Sequence, residues 1–295
     1  MASNNAPKSA GESGARGIYG IDAKAAHPAR VYDYWLGGKD NFEADRVAGE
    51  EAIAAYPGIR ASARANRAFL ARSARYLAAE AGIRQFLDIG TGLPTANNTH
   101  EVAQSIAPQS RIVYVDNDPL VLSHARALLT SSPEGVTAYL DADLRDPDKI
   151  LEQAAGTQDF ARPVAIMLLA ILHYIPDLAE AQRIIARLTS AVPSGSYLTI
   201  SHAASDISPE EMAEMVRRMN QHLAEANHVA RPREVVTQFF DGLELLEPGV
   251  VQVTDWRPDP KDAAGGPTSL WGGVARKALP GVSPDRRGRR PWSRP

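Results

Sequence analysis

Between residues 85 and 201 the chain alternates short runs of β-branched and apolar residues with stretches of helical periodicity, and that alternation admits few folds. The runs at 85–89, 111–116, 136–140, 164–169 and 197–201 are spaced for parallel strands joined by crossover helices. One crossover helix is expected around residues 100–106, and Asp118-Pro119 reads as an N-cap and first-turn proline opening another. Residues 243–253 and 272–276 read as two further strands separated by a turn-rich Pro/Gly segment, which suits an antiparallel hairpin at the sheet edge. The expected architecture is α/β: an open, doubly wound sheet of seven strands, mostly parallel, with an antiparallel C-terminal hairpin.

Three helices are expected ahead of the sheet. Val31, Tyr32, Trp35 and Leu36 share one face of a short helix that begins at Pro28 and closes at Gly37-Gly38. Asp40 and Glu43 have capping-box spacing for a second helix, which runs towards Tyr56 and stops at Pro57-Gly58. A third extends to Gly82, with Leu70, Ala74, Leu77 and Ala81 on its apolar face and Arg64, Arg67, Arg72 and Arg75 read as a solvated basic face. Residues 1–26, rich in Ala, Gly, Ser and Asn without apolar periodicity, are expected to be a disordered tail. Residues 280–295, with five arginines among prolines, form a second tail of the same kind. The plan is therefore tail 1–26, helical cap 27–82, ligand-binding domain 83–279 and basic tail 280–295.

Composition narrows the function classes. With 44% apolar residues a packed core is available, and a net charge of −3 gives no overall attraction to nucleic acid or anionic membrane. The five C-terminal arginines could touch phosphate, but on a disordered end they are ordinarily solubilising, so no nucleic-acid partner is expected. The absence of cysteine removes disulfides, thiolate nucleophiles and cysteine-ligated metal, and no metal centre is expected. The N-terminus lacks the apolar stretch of a secretory signal, and the longest apolar run, residues 164–172, is too short to span a bilayer. A cytoplasmic protein without a membrane partner is expected.

Chemistry concentrates at the carboxyl ends of the strands. Phe86-Leu87-Asp88-Ile89-Gly90-Thr91-Gly92 is an apolar strand ending in an acid and a glycine-rich turn, which lets backbone approach a ligand closely. Alone, that turn is weak evidence, since a ligand-free strand-to-helix connection is also consistent with it. The next strand ends at Asp116, twenty-four positions after Gly92, where a carboxylate can accept from both hydroxyls of a ribose. Asp116, Asn117 and Asp118 can also simply cap the following helix, a role Asp118 suits in either case. After the third strand, Asp143 and Leu144 offer a carboxylate and a backbone N–H to an adenine edge, whereas Asp141, Asp146 and Asp148 read as ordinary turn residues. After the fourth, the segment Leu169-Ala170-Ile171-Leu172-His173-Tyr174-Ile175-Pro176-Asp177 supplies the crevice wall nearest a reacting group, with Ala170 and His173 at the strand end.

These features in this order resemble the class I S-adenosylmethionine-dependent methyltransferases. More narrowly, ARVYDYWLGGKDNFEADR, ANRAFLARSARYLA, FLDIGTGLPTANNTHEVAQ, VYVDNDPLVLSHARALL and ADLRDP look like the actinobacterial S-adenosyl methyltransferase family long catalogued as a domain of unknown function, over roughly residues 27–277. The resemblance implies a Rossmann-like methyltransferase fold with an N-terminal helical extension, and S-adenosylmethionine as ligand. It places Asp88, Gly90, Thr91 and Gly92 around the methionine part, Asp116 and Asn117 at the ribose, and Asp143 with Leu144 at the adenine. Leu93-Pro94-Thr95 stands where a third glycine is usual, so the methionine end is held differently.

Methyl transfer from a sulfonium is an in-line displacement that alignment in a dry pocket accelerates, with or without a base. If a proton must leave the acceptor, His173, His202, Tyr32 and Tyr34 are the candidates, with a pocket-wall or core role the plainer reading for each. The first helix is expected to fold over the crevice as a lid, with Gly37, Gly38, Lys39, Asp40 and Asn41 near the methionine end. A small-molecule methyltransferase is the favoured function. A regulatory protein that binds S-adenosylmethionine without consuming it is the alternative. A nicotinamide-dependent oxidoreductase fits less well, given the missing third glycine and the Asp143-Leu144 pair.

Overall fold

Runs that are apolar at every position, rather than at alternate ones, bury both faces of a strand. Every residue of β1 (Gln85–Ile89), β4 (Ala165–Leu169) and β5 (Tyr197–Ala203) is buried. The computed structural model describes residues 21–128, 130–223, 227–259 and 268–278. Its other strands are β2 (Arg111–Asp116), β3 (Val136–Asp141), β6 (Glu244–Leu245), β7 (Val251–Gln252) and β8 (Leu270–Arg276). The sheet runs in the order β3-β2-β1-β4-β5-β8-β6, with β7 also paired to β8. The first five strands are parallel, and β8 is antiparallel to β5, β6 and β7.

The sheet thus has eight strands where seven were expected, because the segment 243–253 is two short strands on one edge of β8. Between them Leu246 still donates to Val274, but Pro248 has no N–H to offer, and Gly249 turns at φ +90° while donating to Leu246. The ladder is broken there and resumes at Val251.

Helices cover both faces. On one, α1 (Pro28–Leu36), α2 (Glu43–Ala55), α3 (Ile59–Ala79), α4 (Thr99–Ile106) and α8 (Pro209–His222) pack on Phe86, Tyr114 and Met167. On the other, α6 (Pro147–Ala154), α7 (Leu178–Ser190) and α9 (Arg233–Gln238) pack on Leu87, Val113, Ile166 and Ile200. α5 (Pro119–Leu128) follows β2, and Asp118 caps it by accepting from Leu120 at 2.9 Å. Helix α2 opens at Glu43 rather than Asp40: Phe42 is the N-cap, and Asp45, not Glu43, reaches back to its N–H at 2.8 Å.

The N-terminal helices share one apolar cluster with the sheet. Phe69 on α3 meets Trp256 edge-to-face at 5.5 Å, a contact worth about 0.5–1.5 kcal/mol beyond its area. Arg72, read as solvated, is buried and donates to the carbonyls of Trp256 and Val253, since the chain after β7 returns across that side of α3. Residues 21–26, assigned to the tail by composition, include buried Ala26, which bridges to Leu223. The remainder of that tail and the basic tail 280–295 lie outside the described residues. No helix among the described residues is long and apolar enough to cross a membrane.

Candidate active site

Strand order reverses between β1 and β4, and at such a switch point the carboxyl ends of the strands leave a crevice. Register aligns those ends: Ile89 lies opposite Val115, Asp116 opposite Asp141, and Leu169 opposite Ser201. The crevice is a cleft of about 400 Å³, a size suited to a small ligand. Its lining brings together Asp88, Gly90, Thr91, Gly92, Asp116, Asn117, Asp143, Leu144 and Ala170.

The glycine turn is fixed by β2. Gly90 (φ +75°) and Thr91 both donate to the carbonyl of Val115, at 2.8 and 3.2 Å. A Cβ on Gly90 would lie 2.5 Å from Cγ1 of Ile171, so this glycine lets the wall after β4 close against the turn. Gly92 (φ +68°) has open space where its Cβ would stand. Its N–H donates to Oδ2 of Asp116 at 2.9 Å, and Oδ1 of Asp116 accepts from the N–H of Asp118 at 3.0 Å. Each oxygen keeps a lone pair for a further donor. Burial raises the pKa of Asp116, while the two N–H donors and nearby His27 oppose the rise.

Asp88 is buried and accepts from Thr99 Oγ1 at 2.6 Å. Burial pushes its carboxyl up to about 6; Asp116 adds to the rise, and the Thr99 bond and Arg67 counter it. Asp143 is braced by the N–H of Arg145 at 2.8 Å and by Asn117 Nδ2 at 3.3 Å, with Leu144 buried beside it. Asp116 and Asp143 thus stand at the ends of adjacent strands with acceptor capacity towards one space. Such a donor set fits a nucleoside: a carboxylate for the ribose diol, then a carboxylate and an adjacent backbone amide for the base edge.

The sequence profile of the S-adenosyl methyltransferase family matches residues 15–278. The chain belongs to that family. Its fold is close to that of a DUF574 family protein from Streptomyces avermitilis, which is 46% identical, superposes with a TM-score of 0.84, and is matched over 87% of this chain and 99% of its own. A Thermobifida fusca protein assigned to the methyltransferases is 43% identical with a TM-score of 0.78, matched over 87% and 96%. No curated protein matches the sequence.

In this family member, several residues singled out from sequence do not reach the cleft lining. Gly37, Gly38 and Asn41 lie at the far end of α1, because that helix turns its N-terminus, not its C-terminus, towards the cleft. Gly37 (φ +84°) caps α1, and the Asp33 carboxylate occupies the place of a Cβ on Gly38, accepting from Asp40 N–H at 3.0 Å and Asn41 Nδ2 at 2.9 Å. Lys39 is also outside the lining. The roof is instead the segment from Ile21 to Arg30, where His27 Nδ1 lies 3.0 Å and Arg30 Nε 3.3 Å from Asp118 Oδ2.

Tyr34 is bonded to Glu50, away from the cleft. His173 is buried behind the lining with an unpartnered Nδ1, its ring centroid 4.4 Å from that of His228 at a tilt of 41°, and burial holds its pKa well below the ordinary value. His202 shares both nitrogens with protein: Nδ1 donates to the Ala203 carbonyl at 2.8 Å, and Nε2 accepts from Arg231 at 2.8 Å. Burial lowers its pKa to about 3. Tyr32 does line the cleft, donating to the Ala63 carbonyl and accepting from Asn66 Nδ2, both at 3.0 Å. Asn66 Oδ1 in turn accepts from Ser201, whose Oγ accepts from the N–H of Ala170, so α1, α3 and the end of β4 are locked together. Ala170 sits at φ +53°, a strained conformation for a residue with a Cβ.

Sequence reasoning missed His27, Arg30, Asn66 and Arg67 as lining residues, whereas Ile171, Tyr174 and Ile175 line the cleft as part of the wall segment expected after β4. Arg67 alone left a usable signal: seven positions before Ala74, it points along the apolar stripe of α3 rather than away from it.

Proposed function

We propose that this family member transfers a methyl group from S-adenosylmethionine, bound in the β1–β4 cleft, to a small-molecule acceptor. The observation that carries the proposal is the convergence of Gly92, Asp116, Asp143 and Leu144 on one roofed cleft of about 400 Å³. Bound there, the donor supplies an electrophilic methyl on a sulfonium sulfur. Asp116 accepts from the ribose hydroxyls while its bonds to Gly92 and Asp118 hold it still. Asp143 accepts from the adenine amine and Leu144 N–H donates to the ring. Asp88, Gly90 and Thr91 line the remaining path towards the amino-acid end.

Leu169, Ala170, Ile171, Ile175, Tyr32 and Tyr174 form the wall where an acceptor would meet the methyl. Most of that wall is apolar, so it excludes water and leaves alignment as the main source of rate. His202 has no lone pair free to take a proton, and the Tyr32 hydroxyl is already committed at both ends. The roof of residues 21–30 limits the acceptor to something small.

Incubating the full-length protein with methyl-labelled donor and size-fractionated cell extract tests the proposal. Label should enter the low-molecular-weight fraction. Label confined to protein or nucleic acid would contradict the acceptor class, and failure to bind the donor in calorimetry would contradict the whole reading.

A further inference from the structure

A second recess lies at the other end of the sheet. The amino ends of β1, β2, β4 and β5, with the turns 81–84 and 155–163 that lead into them, enclose an open groove of about 690 Å³, larger than the β1–β4 cleft. Since β1 is five residues long, the groove and the glycine turn stand about 13 Å apart along that strand. The proposed methyl transfer makes no use of this end.

The charge of the groove is opposite to that of the chain. The whole sequence carries a net −3, yet the groove is lined by Arg84, Arg111, Arg162 and Arg276 against a single acid, Asp159. Arg276 is neutralised by Glu244, whose Oε2 accepts from it at 2.6 and 2.9 Å. The other three arginines gather around one buried side chain, Gln85. Arg84 precedes it, Arg111 lies opposite it in the β1–β2 register, and the Arg162 carbonyl is 3.4 Å from its Nε2. Gln85 also exchanges two hydrogen bonds with the backbone of Asp159, at 2.7 and 2.8 Å, and so fixes the turn that carries Arg162.

Most of the donor capacity of these guanidiniums is unused. Arg84 donates through Nη1 alone, to the carbonyls of Ala78 and Ile83 at 2.7 and 2.8 Å, and Arg111 through Nε alone, to the Thr157 carbonyl at 2.5 Å. The exposed Arg162 side chain meets no acceptor among the described residues. Three like charges gathered without a paired acid repel one another, and a bound anion removes that repulsion. A carboxylate offers two oxygens in one plane, whereas a phosphate offers three in a tetrahedron, which suits donors arriving from three separate segments. We propose that the groove binds a small molecule bearing a di- or triphosphate group, held by Arg84, Arg111 and Arg162. A purely structural role, in which Arg84 caps the end of α3 and Arg111 the turn after α6, leaves Arg162 without a function. The site is separate from the donor cleft, and its occupation does not depend on the donor.

Calorimetry on the full-length protein tests this, with tripolyphosphate as the probe, citrate as the carboxylate control, and each titration run with and without saturating S-adenosylhomocysteine. Tripolyphosphate should bind at least about tenfold more tightly than citrate, and equally well in both conditions. Arg162→Gln should weaken it about three- to tenfold with Tm within about 2 °C, because that side chain supports nothing in the fold. Arg111→Gln combined with Arg162→Gln should weaken it about 10- to 100-fold. Unchanged affinity in Arg162→Gln, or no binding of tripolyphosphate at all, would overturn the proposal. Displacement by S-adenosylhomocysteine would put the anion in the β1–β4 cleft and overturn it equally, and citrate binding as tightly as tripolyphosphate would overturn the phosphate assignment.

Discussion

Asp116→Asn is the substitution whose outcome the geometry constrains most. The two carboxylate oxygens accept from two backbone amides, Gly92 at 2.9 Å and Asp118 at 3.0 Å. An asparagine has one acceptor oxygen, so one N–H must face an NH₂ group instead, a cost of about 1–3 kcal/mol. Burial partly offsets this, because it already disfavours the charged carboxylate and a neutral amide escapes that penalty. The net loss of fold stability should be about 1 kcal/mol, a fall in Tm of about 2–4 °C for a chain of this size. Donor binding should suffer more. A charge-assisted bond to the ribose is worth about 1.5–3 kcal/mol, so affinity for S-adenosylhomocysteine should fall about 10- to 100-fold. Differential scanning fluorimetry and isothermal calorimetry on the same preparation read both quantities. An Asp116→Asn protein that binds within threefold of the unsubstituted chain would refute the role given to this carboxylate.

The same geometry fixes three further outcomes. Gly92→Ala places its methyl in open cleft and should keep Tm within about 4 °C while lowering donor affinity at least about tenfold; Gly90→Ala, driven against Ile171, should lose more in Tm than Gly92→Ala. His27→Ala removes a contact between the roof and Asp118 and the side-chain cap of α1 on Ala29 N–H, so stopped-flow displacement should show S-adenosylhomocysteine leaving about three- to fivefold faster while Tm falls by about 2–4 °C for the lost cap. His228 is buried with its pKa lowered to about 4, below the unfolded value near 6.5. The unfolded chain therefore takes up a proton that the folded chain refuses, so this contribution is complete above pH 6.5 and is lost as pH falls towards 4. His228→Gln should reduce the slope of unfolding free energy near pH 5 by about 1.4 kcal/mol per pH unit, measured by urea titration; an unchanged slope would mean His228 titrates normally in the fold.

The convergence of the strand-end residues on one cleft was legible because it depends on chain-local chemistry. A strand, a glycine turn and an acid at a strand end are written consecutively, and parallel register brings Gly92, Asp116 and Asp143 together without further information. The lid was misplaced because Gly37-Gly38 signals a helix end but not the direction in which the helix points; that depends on Asp33 folding back over Gly38 and on Arg30 finding Asp118. His173 drew interest by its place after β4, yet a 3-10 turn at Leu172–Tyr174 sends it behind the wall and brings Tyr174 to the lining. Arg72 was misread because a helix wheel shows which residues share a face, not which faces later segments cover; Arg67 was misread although the wheel puts it on the apolar stripe with Ala74. The split of the last hairpin is likewise set at Pro248, a single residue inside an otherwise strand-like run.

Donor recognition here requires that one nucleoside lie across the carboxyl ends of β1, β2 and β3 under the segment from Ile21 to Arg30. A crystal structure of the full-length protein with S-adenosylhomocysteine tests this directly. The ribose hydroxyls should be found on Asp116, the adenine at Asp143 and Leu144, and the amino-acid end along Asp88, Gly90 and Thr91. Ligand density elsewhere on the molecule, or an adenosine turned away from Asp116, would contradict it.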